Sequence, residues 1–441
     1  MRYCQWKGHW KRERWMTGEG DVDLLVAAAD LPRFAAAAHL LGCRLARPAP
    51  AAEVAGVTSW YGYDPALSNF VLLHVHTRLV IGEYWRTLCR VPIEAAVLAD
   101  VVPRTLFPSP RPEVELILFV LRMSLRHAAG DLVGGDPAWL VAARPELAYL
   151  EEQTKPARVS DQLARHLPAV DRTLFDRCRN ALELRASPWR RLAARRALCR
   201  ALGATLHSAA LWLTIRRAAA AVRRRAGPPS SGTRRFAGGG LLVALVGADG
   251  AGKSTCALAL HRWLVPHFRT LRVHLGRPPR ALATLIVGGL RKLLPLTGLT
   301  YLRHVCTARD RYRLAVRAGR WVVDGGIALC ERYPGAEHDQ LVGPRIRELA
   351  GPHARGLAHW LADLEERYYR RLPAPDLRLV LRVAPDVAVR RKTDEPPDYV
   401  RRRATLVWQA QWIGEGTRVI DAGQPLDHVL ADLKAVLWEA L

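Results

Sequence analysis

Long apolar runs are missing from this sequence. The nearest, residues 201–215, is bracketed by arginines and falls short of the roughly 18 uncharged residues a membrane helix needs. The first residues, MRYCQWKGHWKRERW, lack the apolar centre of a signal peptide. None of the eight cysteines, at 4, 43, 89, 178, 199, 256, 306 and 330, forms a C-x-x-C pair, which argues against a zinc knuckle or a disulfide framework. These absences lead us to expect a cytoplasmic protein, soluble or peripheral to a membrane. Acids are scarce too: 41 Asp and Glu face 66 Lys and Arg, a net charge of +25, and only seven of the bases are lysine. Such an excess favours anionic partners: nucleic acid, acidic lipid or phosphorylated small molecules. With half the residues hydrophobic and a quarter charged, wholesale disorder is excluded.

The 441 residues suggest three domains at about 150 residues each. Residues 185–235 hold 13 Arg and no acid, more than half the net charge. Leu192, Cys199, Leu202 and Leu206 share one helical face there, leaving Arg190, Arg191, Arg195, Arg196 and Arg200 on the remaining surface. The stretch ends in RRRAGPPSSGTRRFAGGG, which reads as a linker. The expected division is an α+β domain over 1–100, a mainly helical, Arg-rich connector over 101–235 and an α/β domain over 236–441.

Beyond the linker, strand-like and helix-like segments alternate: strands at 241–246, 271–275, 327–330, 377–383 and 417–421, helical material to about 319, and a long helix near 344–372. The pattern predicts a parallel sheet with helices on both faces. Between the first strand and its helix stands GADGAGKST, a phosphate-loop motif in its proper context. Gly247, Gly250 and Gly252 let backbone N–H groups turn toward phosphate oxygens. Lys253 is expected to reach the β- and γ-phosphates of ATP, and Ser254, beside Thr255, to offer its hydroxyl to Mg²⁺.

With this loop the C-terminal segment, about 240–441, resembles the thymidylate kinase family, whose loop reads E-G-x-D-G-x-G-K-S-T. Asp249 falls on the family's Asp, and Val246 replaces its Glu. CERYP (330–334) is similar to the family's D-R-Y segment. The resemblance implies that Glu331, in place of Asp, helps hold the metal and that Arg332 contacts the acceptor phosphate. Asp324 is a competing strand-end carboxylate, with Glu331 favoured. Arg277, in HLGRPP, stands where the family carries Arg-Glu-Pro and is a candidate acceptor contact. Arg391 and Lys392, with Arg401–Arg403 beyond, would close over the triphosphate.

In GEGDVDLLV, Asp21 and Asp23 lie two apart on a strand, so both carboxylates face one way and suit Mg²⁺. Gly8 precedes them, and the segment resembles the nucleotidyltransferase superfamily, whose signature adds a third carboxylate on a later strand. That strand, expected over 69–82, carries Leu73 about where the acid belongs. His74 and His76 share one strand face, a pair that without a third ligand reads as structural rather than metal-binding. The missing acid and a first strand beginning at residue 3 suggest a domain reduced in activity, or a start other than Met1.

The expected protein is therefore an ATP- and Mg²⁺-dependent phosphotransferase of the thymidylate kinase type. Its acceptor would be a nucleoside monophosphate or another small phosphate- or hydroxyl-bearing molecule. Two alternatives stay open: a nucleic-acid end-processing kinase and nucleotidyltransferase, and a non-enzymatic nucleotide-binding module at a membrane surface. Each would use residues 185–235 to grip an anionic surface.

Overall fold

A computed structural model describes residues 1–8, 13, 15, 20–48, 53–83, 87–126, 138–203, 234–294, 296–335, 343–353 and 355–441. The chain divides into two compact units, Met1–Pro229 and Ser230–Leu441.

In the first unit, strands β1 (Tyr3–Gln5), β2 (Asp21–Val26), β3 (Arg44–Arg47), β4 (Val57–Asp64) and β5 (Asn69–His76) lie in the order β1-β2-β5-β4-β3. β2 and β5 run parallel, and the other neighbours are antiparallel. Helix α1 (Leu31–Leu40) buries Phe34 and Ala38 against Val22, Leu24, Val26 and Trp60. The strand expected over 69–82 breaks after His76. The chain turns, and Val80–Glu83 (β6) pairs instead with Thr87–Arg90 (β7). Among the described residues six helical segments follow: α2 (Glu94–Ala99), α3 (Pro112–Arg126), α4 (Ala138–Glu152), α5 (Pro156–His166), α6 (Arg172–Ala181) and α7 (Pro188–Ala201). α3 is buried along nearly its whole length, and residues of the five helices around it form one core that extends to Cys4, Ile81 and Cys89.

The basic segment differs from expectation where it is described. On α7 Leu192 and Leu198 are buried as an apolar face should be, but so is Arg195, which the sequence pattern leaves on the surface. It follows the buried Ala194 in the chain, and a long aliphatic stem can lie against apolar surface. Leu206 and the rest of 204–233 lie outside the described residues. Among the described residues no helix is long and apolar enough to cross a membrane.

The second unit is a mixed α/β structure built on a five-stranded parallel sheet. Its strands are β8 (Leu241–Gly247), β9 (Thr270–His274), β10 (Ile327–Glu331), β11 (Leu377–Arg382) and β12 (Thr417–Asp421), in the order β9-β10-β8-β11-β12. Every residue of the central β8 is buried, as continuous apolar strands covered on both faces require. The helices are α8 (Lys253–Leu264), α9 (Leu282–Leu293), α10 (Thr297–Val323), the short Ile346–Ala350, α11 (Leu357–Arg370), α12 (Pro385–Arg391), α13 (Pro397–Gln409) and α14 (Leu426–Glu439). The single helix expected over 344–372 is two, because Gly351 and Gly356 both take positive φ and Pro352 follows the first of them.

Candidate functional site

The loop between β8 and α8 is shaped by glycines that no other residue replaces. At Gly250 (φ +84°) a Cβ would meet the Ala388 carbonyl oxygen at 2.5 Å, and at Gly247 the Leu381 carbonyl oxygen at 2.7 Å. The chain can therefore lie flat against β11 and α12 only with bare backbone there. Gly252, also at positive φ, caps α8, so that Lys253, Ser254 and Thr255 form the helix's first turn. A helix N-terminus with unpaired N–H groups attracts anions. Lys253 is buried, and its ammonium donates to the Ala248 carbonyl at 2.6 Å within the loop. Burial first, and Arg332 second, push its pKa down to about 8.

Sheet register brings Glu331 and Arg332 here. β10 pairs with β8 so that Glu331 lies level with Leu245, two residues before the loop's first glycine. Ser254 Oγ donates to Glu331 Oε2 at 2.6 Å, and Arg272 Nε on β9 holds Oε1 at 2.7 Å. Glu331 is 1% exposed. Asp324, the competing carboxylate, precedes β10 at the opposite end of the strand, where it pairs with Arg269 at 3.1 Å. Arg332 adopts a left-handed backbone (φ +53°), unusual for a side chain with a Cβ, and its guanidinium pairs with Asp249 inside the loop.

Arg403 approaches the same carboxylate from α13, 3.0 Å from Asp249 Oδ2, and donates to the Tyr399 hydroxyl at 2.6 Å. Two arginines thus clamp one buried aspartate. Sequence reasoning had grouped Arg401–Arg403 as a single lid, and only Arg403 joins this cluster: Arg401 pairs with Asp386. Arg391 donates to the Ala422 carbonyl at 2.7 Å, and Lys392 reaches Asp394 at 2.7 Å. Neither contact involves the loop. Arg277 is exposed; its backbone N–H donates to His274 Nδ1 at 3.0 Å. The neighbouring Gly276 lies against Arg332: a Cβ there would stand 2.6 Å from Arg332 Cδ.

In the first unit the aspartate pair finds partners on β5, where Leu73, the position expected for a third acid, lies level with Val22. Asp23 is in register with His74, not Leu73. His74 Nδ1 lies 3.1 Å from Asp21 Oδ2 and 3.7 Å from Asp23 Oδ1, while His76 Nε2 and Lys7 Nζ approach the same Asp23 oxygen at 3.2 and 2.9 Å. One ligand atom each from Asp21, Asp23 and His74 falls within 4.8 Å of the others, a spacing that suits a metal ion. Burial acts to raise the Asp23 pKa, but hydrogen bonds to His74 and His76 and the charge of Lys7 outweigh it and hold the carboxyl well below its usual range. Burial pulls the His74 pKa down, but its carboxylate partners Asp21 and Asp23 outweigh burial and raise it, whereas burial wins at His76 and lowers it.

No family model matches the chain. Among known proteins it is similar to the uncharacterized ATP-binding protein YghR of Escherichia coli strain K12, 27% identical over 220 residues that cover 43% of this chain and 83% of the relative. The YghR of E. coli O6:H1 gives the same identity and coverage.

Proposed function

We propose that the second unit is an ATP- and Mg²⁺-dependent phosphotransferase of the thymidylate kinase type. One observation carries the reading: a buried strand-end carboxylate, Glu331, at 2.6 Å from the hydroxyl that follows the phosphate-loop lysine. The similarity to an ATP-binding protein supports the nucleotide part of it.

Backbone N–H groups of 247–253 and the α8 N-terminus would cradle the phosphates, with the Lys253 ammonium at their β and γ positions. A hydroxyl and a carboxylate oxygen side by side are hard donors that fit Mg²⁺, which usually takes one or two protein oxygens and completes its shell with phosphate and water. Ser254 and Glu331 would hold it, and when bound it neutralises phosphate charge. Arg332 and Arg403, already converging on Asp249, supply fixed positive charge beside the reacting phosphoryl group. In the reaction the bond from Pγ to the β,γ-bridging oxygen breaks and a bond from Pγ to an acceptor oxygen forms. ADP leaves with the electron pair, and a hydroxyl acceptor releases its proton to solvent. In the first unit the same reasoning assigns a divalent cation to Asp21 and Asp23, with His74 as the third ligand.

The test is ATP consumption by purified protein against nucleoside monophosphates, sugars and sugar phosphates, with Lys253→Ala as the control. ADP production that Lys253→Ala abolishes is expected. No turnover, together with no ATP binding that this substitution removes, overturns the reading.

A further inference from the structure

The second unit contains a cavity of about 270 Å³ whose lining carries three arginines and a histidine. Thr300, Arg303, His304, Thr307 and Arg311 recur at helical spacing along one face of α10 and form one wall. Arg291 of α9 and Glu365 and Tyr369 of α11 complete it, with Gly343 and Pro344. A stripe of this kind on a helix between two others is ordinarily apolar and filled. Here three guanidinium groups face one carboxylate.

That carboxylate is already engaged. Glu365 Oε2 accepts the Ile346 N–H at 2.8 Å, and its other oxygen lies 3.9 Å from His304 Nδ1. Among the described residues neither Arg291 nor Arg303 pairs with an acid, and the Arg291 Nε is buried without a hydrogen-bond partner. Burial first, and then Arg311, Arg303, Arg291 and Arg345, hold His304 below its ordinary pKa. Residues 250–309, which supply both basic helices up to that point, contain no Asp or Glu at all. Tyr369 is the phenol or indole ring of the lining, and Arg345 covers its face, with the guanidinium carbon 3.2 Å from the ring centroid. That face of the ring is therefore closed to a planar base, and among the described lining residues no other phenol, indole or phenyl ring offers a stacking surface.

The cavity is joined to the loop by contact. Arg311 Nε donates to the Leu275 carbonyl at 3.0 Å, and the next residue, Gly276, is the one that abuts Arg332. We propose that this cavity binds a phosphate monoester carried by the acceptor, and that the acceptor is a small, soluble, non-nucleoside phosphate ester. Three cations against one engaged acid complement a group that bears about two negative charges at neutral pH. The acceptor role rests on the phosphotransferase reading above; the cavity's preference for a phosphate monoester does not.

Calorimetric titration of the full chain tests this with glucose 6-phosphate, fructose 1,6-bisphosphate, inorganic phosphate and thymidine monophosphate as probes. At least one sugar phosphate should bind more tightly than both inorganic phosphate and thymidine monophosphate. The double substitution Arg291→Gln, Arg303→Gln should weaken it by about ten-fold or more, as loss of charge-assisted hydrogen bonds does, while ATP binding is unchanged. Arg303→Gln alone serves if the double variant does not fold, with a smaller loss in the same direction. Absence of sugar phosphate binding, tighter binding of thymidine monophosphate, or indifference to the substitutions overturns the proposal. So does capture by phosphatidic acid vesicles that the same variant abolishes, which would assign the phosphate to a lipid. Sugar phosphate binding that survives in a protein without ATP turnover would remove the phosphotransferase reading and leave the cavity assignment standing.

Discussion

Ser254 and Glu331, 77 residues apart in the chain, share a hydrogen bond of 2.6 Å. Parallel pairing of β10 with β8 makes the contact, because it sets the end of one strand level with the start of the phosphate loop on the other. Glu331→Gln keeps the shape of this pair and removes its charge. Turnover should fall by about 100-fold or more, the scale for losing an electrostatic contact to the reacting group. ATP affinity without Mg²⁺ should be nearly unchanged, and titrations with and without the metal separate the two effects.

Lys253 gives a pH dependence with a definite sign. Its ammonium loses its proton near pH 8, lower than an ordinary lysine because it is buried beside Arg332. Phosphate binding needs the charged form, so ATP affinity should be flat below pH 8 and weaken as pH rises beyond it. The dissociation constant measured from pH 6.5 to 9.5 at fixed ionic strength checks this, and Lys253→Met should erase the dependence.

Asp249 holds two arginines at once, and Lys253 lies close by. Asp249→Ala leaves these cations converging without an acid. Breaking a buried ion pair by removing one partner costs about 3 kcal/mol. Denaturant unfolding should show that loss in the transition of the second unit; an unchanged midpoint would mean the carboxylate contributes nothing net to stability.

Lys7 occupies an oxygen of Asp23 that a metal would also use, at 2.9 Å. Lys7→Ala should therefore strengthen Mn²⁺ binding by several-fold, since it removes a competing charge, and His74→Ala should weaken it. Free Mn²⁺ followed by electron paramagnetic resonance reports both. Equal or weaker binding in Lys7→Ala would leave the aspartates a structural role.

Cys89 and Cys199 bring their sulfurs to 3.8 Å. The hydrogen bond from Cys89, with help from Arg195 and against burial, pulls the Cys199 thiol down to about 7. At pH 7.5 iodoacetamide should alkylate Cys199 before the other cysteines, because the thiolate is the reactive species. Diamide should join the pair with loss of two hydrogens by mass, and Cys89→Ser should slow the alkylation.

The sequence made the second unit's strands legible to within a residue or so, because continuous apolar runs between helical periods have few other readings. The glycine-shaped turn between β8 and α8 was equally plain, since its glycines are local chemistry. What depended on register was not. His74 became a partner of Asp23 through parallel pairing that no local pattern reveals. Arg403 and Arg391 looked alike in a basic run, yet one reaches the loop and the other ties to the Ala422 carbonyl. The polar stripe 300, 303, 304, 307 and 311 is present in the sequence, but Arg309, Asp310 and Arg313 among and beyond it hide which face lines a cavity.

Gly276 lies between the basic cavity and the aspartate clamp, with Arg311 on its carbonyl side and Arg332 against its α-carbon. A displacement of this one backbone segment is shared by the basic cavity and by the aspartate clamp. Linkage then makes the two occupancies reciprocal: whatever factor the cavity's ligand imposes on nucleotide affinity, the nucleotide imposes on the ligand. The order in which the two arrive leaves that factor unchanged.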